Sequence, residues 1–271
     1  MRRAVLGALA LLASAPLIAE SDDDSLDRGR YLFQAANCLS CHTDFDNDGQ
    51  PLAGGRELET PFGSFFAPNI TPDPETGIGG WSDEDFIRAL TEGISPQGEH
   101  YYPSFPWPAY RGMSHEDLIA LKRYLDSRPA VKQANRPHQL KWYLSRRSLG
   151  IWKWLNHDID DYPGRKLERG AYLINALGHC QECHTPRDAL GRLDLDRAFA
   201  GNPDLSAPNI RNDAEGIGDW SDEELSDLFT DGMLPDGDYV SSHMAEVVDY
   251  ATSNWTDADR RAVIDYLRSL N

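Results

Sequence analysis

Apolar residues at Leu118, Leu121 and Leu125 recur at the spacing of one helix face, and Val263, Leu267 and Leu270 repeat that stripe near the other end of the chain. Each stripe follows a start signal, Ser114 with Asp117 three residues on and Thr256 with Asp259 three residues on. A hydroxyl at such a position accepts from an orphan helix N–H, and the acid faces the positive end of the helix. Ser82 with Asp85 and Ser221 with Glu224 open two further helices by the same logic. Upstream, the pattern predicts helices over 26–37 and 168–177, each running into a cysteine motif. Gly/Pro-rich loops separate these elements and nothing reads as a strand-rich sheet, so the expected fold class is all-α.

The elements come in the same order twice. Tyr31-Leu-Phe-Gln-Ala-Ala-Asn-Cys38 aligns, after one insertion, with Tyr172-Leu-Ile-Asn-Ala-Leu-Gly-His-Cys180. Ala67-Pro68-Asn69-Ile70 returns as Ala207-Pro208-Asn209-Ile210, and Gly77-Ile-Gly-Gly-Trp81-Ser82 as Gly216-Ile-Gly-Asp-Trp220-Ser221. The chain therefore contains a duplicated domain. The expected division is a leader at 1–19, domains at 25–128 and 166–271, and a linker at 129–165. Trp142, Tyr143, Trp152 and Trp154 make that linker aromatic-rich, and Lys141, Arg146, Arg147 and Lys153 make it basic. A flexible Gly/Ser tether would not carry three tryptophans, so the linker is expected to pack against the domains.

Composition narrows the setting. A formal charge of −18 argues against nucleic acid or anionic lipid as a partner and favours a partner with a basic face. Arg2 and Arg3, followed by an apolar run from Ala4 to about Ile18, read as an export signal cleaved after Ala19, with an uncleaved anchor as the alternative. The expected location is periplasmic, with any membrane contact peripheral.

All four cysteines lie in two Cys-x-x-Cys-His runs, Cys38 to His42 and Cys180 to His184. Two thiols at this spacing add to the two vinyl groups of one haem, and the adjacent histidine then lies under the iron. A zinc site needs four ligands in one domain, and a thioredoxin-type pair should follow a strand in a βαβ unit. Neither condition holds. Two covalently bound haem c groups are the expected cofactors, with His42 and His184 as iron ligands.

The chain resembles the class I cytochrome c domain in tandem. More closely, it resembles dihaem cytochromes related to the cytochrome subunits of bacterial membrane-bound alcohol, aldehyde and sugar-acid dehydrogenases. Gly178-His-Cys180-Gln-Glu-Cys183-His184-Thr-Pro186-Arg, the two Ala-Pro-Asn-Ile runs and Pro235-Asp-Gly-Asp238 with Met244-Ala-Glu-Val-Val carry the likeness. Those subunits commonly have three such domains, and two are legible here. The resemblance implies that the Pro68 and Pro208 carbonyls accept from the two histidines. It also implies that Trp81 and Trp220 lie near the haem propionates, a placement compatible with core packing.

A methionine sulfur usually closes the iron of an electron carrier. Met244, expected in the loop before the final helix, stands at the position the family pattern uses, while Met233 reads as packing. Aligning Gly98 with Gly237 sets Phe105 opposite Met244, and phenylalanine cannot ligate iron. For the first haem, Met113 beside a proline-rich loop is favoured, with His100 or an open, water-bound iron as alternatives. The expected function is electron transfer from a dehydrogenase donor to a downstream cytochrome or terminal oxidase, not catalysis. The rival is a dihaem enzyme with an open first haem, peroxidase-like or thiosulfate-oxidising.

Overall fold

A computed structural model of the chain describes residues 22–155, 168–188 and 191–270. The expected leader at 1–19 lies outside them, as does the end of the expected linker. The first half begins with α1 (Asp22–Ala35), followed by the single turn α2 (Cys38–Cys41). A short hairpin, β1 (Glu57–Thr60) and β2 (Gly63–Phe66), precedes α3 (Asp83–Glu92), α4 (Trp107–Tyr110) and α5 (His115–Asp126). The connecting segment holds β3 (Gln139–Leu140) and α6 (Arg146–Leu155). The second half has α7 (Arg169–Ala171), α8 (Gln181–His184), α9 (Asp222–Asp231), α10 (Ser242–Tyr250) and α11 (Asp257–Arg268).

The start signals are where the hydroxyls predict them. Ser82 and Ser221 close full capping boxes with Asp85 and Glu224. Left-handed Gly93 and Gly232 end the same two helices. Ser114 and Thr256 accept from the backbone N–H of Asp117 and Asp259. Leu118, Leu121 and Leu125 are buried, as are Val263 and Leu267, each worth about 1.5–3 kcal/mol when fully removed from water.

In each half the first and last helices cross in close contact. A Cβ on Gly29 would stand 2.1 Å from the Ala120 carbonyl oxygen, and one on Gly170 would stand 1.9 Å from that of Ala262. The one-residue insertion between the repeats has a physical location. Tyr172–Leu177 winds as a π-helix, with the Gly178 N–H reaching back to the Leu173 carbonyl at 2.7 Å. Both halves then arrive at their first cysteine through a left-handed residue, Asn37 (φ 54°) and His179 (φ 40°).

The helices dominate, as the all-α reading expects; β1, β2 and β3 add only a small antiparallel sheet in which Leu58 faces Phe65, and Gly63 and Ser64 face Leu140 and Gln139. Four-residue strands with a two-residue third partner from far along the chain leave almost no period to read. The connecting segment does pack on the first domain: Gln133 and Arg136 bond the Ala53 and Gly55 carbonyls, and His138 accepts from Phe66 N–H. Its Trp142, however, is 95% exposed and touches Tyr143 rather than a domain, because it follows β3 where the sheet ends.

The two halves share one core and exchange side chains symmetrically. The Tyr31 hydroxyl donates to Asp259, and the Tyr172 hydroxyl donates to Asp117. Arg28 and Arg169 complete the pattern from within each half, bonding Asp117 at 2.5 Å and Asp259 at 2.6 Å. The two acids that the capping signature assigns to helix starts thus turn their carboxylates toward the seam.

Candidate haem-attachment sites

Each Cys-x-x-Cys-His run forms one turn of helix, placing both thiols and the imidazole on one short element. In the first, the His42 carbonyl accepts from Gly54 N–H at 2.9 Å, and Thr43 Oγ1 accepts from Leu52 N–H. In the second, Gly201 and Phe199 bond His184 and Thr185 in the same way. The imidazoles are set alike: Nδ1 lies 2.8 Å from the Pro68 oxygen in His42 and 2.8 Å from the Pro208 oxygen in His184. A carbonyl only accepts, so Nδ1 carries the proton and Nε2 keeps its lone pair.

Electrostatics agree with that tautomer. Burial holds both imidazoles below their ordinary pKa, opposed by the carbonyl bond. Burial also pushes the Cys38 and Cys180 thiols up to about 12, and raises Cys41 and Cys183. Each site thus sets two thiols beside an oriented imidazole whose Nε2 lone pair is free. Such sites fit a group joined through thioethers and ligated through Nε2.

The prolyl carbonyls are themselves fastened. Asn69 is 2% exposed; its amide donates to Val131 and Thr76, and its oxygen accepts from Thr71 N–H at 2.9 Å. Asn209 does the equivalent with Asp213 and Arg211 N–H. Both asparagines stand inside the repeated Ala-Pro-Asn-Ile run, a signal that marks the residue without revealing its task. Trp81 and Trp220 are half-buried against the core, each following a turn bonded to Ile78 or Ile217.

The far-side candidates differ between the halves. The turn around Gly98 matches that around Gly237 bond for bond: Gly98 N–H to Ser95, Gly237 N–H to Leu234, Tyr101 N–H to Gly93, and Val240 N–H to Gly232. Counting on from these, Phe105 holds the register of Met244. Met244 lies half-buried in the first turn of α10 rather than in a loop. Met113 is 6% exposed in the shared core, next to the Ser114 cap, where the second half has Trp255 before Thr256. The His100 ring lies along α6 near Gly150, and Met233 pairs by backbone with Tyr239.

Comparison with known proteins adds what geometry cannot. A family model described as cytochrome c matches the chain twice, over residues 26–129 and 167–271. A protein of Cereibacter sphaeroides named as a diheme cytochrome c-type is 41% identical over 89% of this chain and 84% of its own length. The cytochrome c subunit of an alcohol dehydrogenase (quinone) of Gluconobacter oxydans is 35% identical over 98% of this chain. That of a gluconate 2-dehydrogenase of Pantoea cypripedii is 36% identical over 98%. The chain spans 59% and 64% of the lengths of these last two.

Proposed function

Because this chain belongs to the cytochrome c family, with a matching domain in each half, we propose that it holds two covalent haem c groups and carries electrons from a dehydrogenase to a downstream cytochrome or terminal oxidase. The observation that carries the reading is the duplicated geometry of His42 on Pro68 and His184 on Pro208, each beside a Cys-x-x-Cys pair. Cys38 and Cys41 would hold one haem and Cys180 and Cys183 the other, with His42 and His184 ligating through Nε2. When bound, each haem supplies a one-electron Fe(III)/Fe(II) couple.

The chain's own part is to orient and to exclude water. Pro68 and Pro208 fix the ring planes, and Asn69 and Asn209 fix the prolines. Met244 and Met113 are the proposed sulfur ligands; Met113 is favoured over His100 because it lies in the core whereas the His100 ring rests on α6. Trp81 and Trp220 would offer indole N–H groups toward propionates. The relatives named as cytochrome subunits place the role in electron transfer rather than in a catalytic chain, and they support a dehydrogenase as donor. No helix among the described residues is long and apolar enough to cross a membrane. We read the protein as exported to the periplasm, touching a membrane only peripherally.

The test is a haem count on protein produced in a host that attaches haem c. Mass spectrometry of the intact chain should show two haems, and one after Cys180→Ala with Cys183→Ala. Met113→Ala should open the first iron to carbon monoxide in the reduced state. A single haem in the unaltered protein would refute the count. Carbon monoxide binding before any substitution would instead favour the rival, an open first haem with chemistry of its own.

A further inference from the structure

Helix α10 has two working faces. Met244 and Val248 stand four residues apart, and Val248 is buried. Glu246 and Tyr250 are likewise four apart, so they share a different face, one turned to the first domain. There Arg56 grips Glu246 with both arms, Nη1 to Oε2 at 2.7 Å and Nη2 to Oε1 at 2.8 Å. The same Nη1 donates at 2.6 Å to the carbonyl of Ser40, which lies between Cys38 and His42 in the first attachment loop. Tyr250 stacks on Phe45, three residues past His42, at 5.2 Å and 2° between planes. The Arg56 side chain is only 14% exposed, and its backbone carbonyl accepts from Ala67 N–H, beside Pro68.

The start of this helix is weakly secured from within. Its N-cap, Ser241, makes no side-chain cap bond, whereas Ser114, Ser221 and Thr256 all do. Ser242, two residues before Met244, takes φ 56°, a left-handed conformation that a serine adopts at a cost of about 1–2 kcal/mol. A strained, uncapped start persists where neighbours over-determine it, and Arg56 and Phe45 are the neighbours on the Glu246 face.

We propose that Arg56 and Glu246 are positioning residues for the second haem's sixth ligand, so that the first domain's attachment loop holds α10 and through it Met244. The inference rests on Met244 being that ligand, as read above. It makes the two haem sites interdependent: whatever displaces the Ser40 loop is passed to the far side of the other iron. A bidentate Arg–carboxylate pair suits this task because it fixes angle as well as distance.

The experiment uses the dihaem full-length protein and spectroelectrochemistry, reading the potential of each haem and the sulfur-to-iron absorption band of the oxidised state. Arg56→Gln and Glu246→Gln should each lower the second haem's potential, weaken its sulfur band and tighten imidazole binding at that iron roughly 10-fold, within reach of a lost charge-assisted pair. Simple charge removal would act oppositely in the two variants, lowering the potential when Arg56 is lost and raising it when Glu246 is lost. Opposite shifts, or no shift, overturn the proposal. Glu246→Gln leaves the Arg56 bond to Ser40 in place and is decisive alone if Arg56→Gln does not accumulate. Met244→Ala is the control: loss of the second haem's share of the band, with the first haem's share left in place, confirms the ligand independently of the clamp, and an unchanged band removes both the ligand reading and the proposal.

Discussion

Asn69 shows how much of the proposed first haem site rests on a side chain outside the attachment motif. Its buried amide ties Thr71, Thr76 and Val131 together one residue beyond the Pro68 carbonyl. Asn69→Ala should leave buried partners unsatisfied and lower stability by about 1–3 kcal/mol in denaturant unfolding. It should also loosen His42, seen as a weaker or heterogeneous low-spin signal from the first haem while the second is unchanged. Equal loss at both haems would mean that Asn69 supports the whole fold rather than its own ring. At this scale the cysteines and histidines were legible because their spacing is their chemistry. Asn69 and Arg56 were not, since an amide or a guanidinium acquires its role only from what the fold brings beside it.

Among elements, the four capped helix starts were legible to the residue, because a cap is a contract among four consecutive positions. By contrast, α1 begins at Asp22 rather than 26, and α10, without a side-chain cap bond, gave no start signal. The helix crossings were not legible either. Gly29 and Gly170 read as weak points in helices, yet each is where two backbones meet. In an ordinary helix Gly→Ala stabilises by roughly 0.4–1 kcal/mol. Here the new methyl would enter the carbonyl of Ala120 or Ala262, and overpacking of that kind costs about 1–3 kcal/mol. Gly29→Ala should therefore lower the thermal midpoint, and a raised midpoint would show that α1 can shift away from α5. The small sheet escaped the sequence for a related reason: β3 is two residues long and pairs with a strand far earlier in the chain.

For the whole molecule, the reciprocal Tyr–Asp exchange makes the two domains one body, and it sets pH limits. Burial alone would raise the Asp259 carboxyl, but hydrogen bonds from Arg169 and Tyr31 outweigh it and hold the group below its ordinary value. Its contribution is full above the unfolded carboxylate pKa and is lost as pH falls through the lower folded value. Burial, helped by Asp259, pushes the Tyr31 hydroxyl up to about 12, and burial helped by Asp117 raises Tyr172. The folded state thus keeps these protons longer than the unfolded chain. The Tyr31 contribution is full below about pH 10 and is lost as pH rises through about 12. Tyr31→Phe should flatten the alkaline limb of the stability curve between those values, measured by denaturant titration. An unaltered limb would place the seam's strength elsewhere.

The sequence by itself determined the duplication, the four capped helix starts, the spacing of the cysteines and histidines and the acidic character, because each is written in neighbouring residues or in a period. Only the tertiary structure decided where Asp117 and Asp259 send their carboxylates, that Arg56 clasps Glu246, and that Gly29 and Gly170 mark helix crossings. These are relations between residues brought together by the docking of one helix pair on another. A linear pattern can name both partners of such a contact, but the distance between them is set by packing.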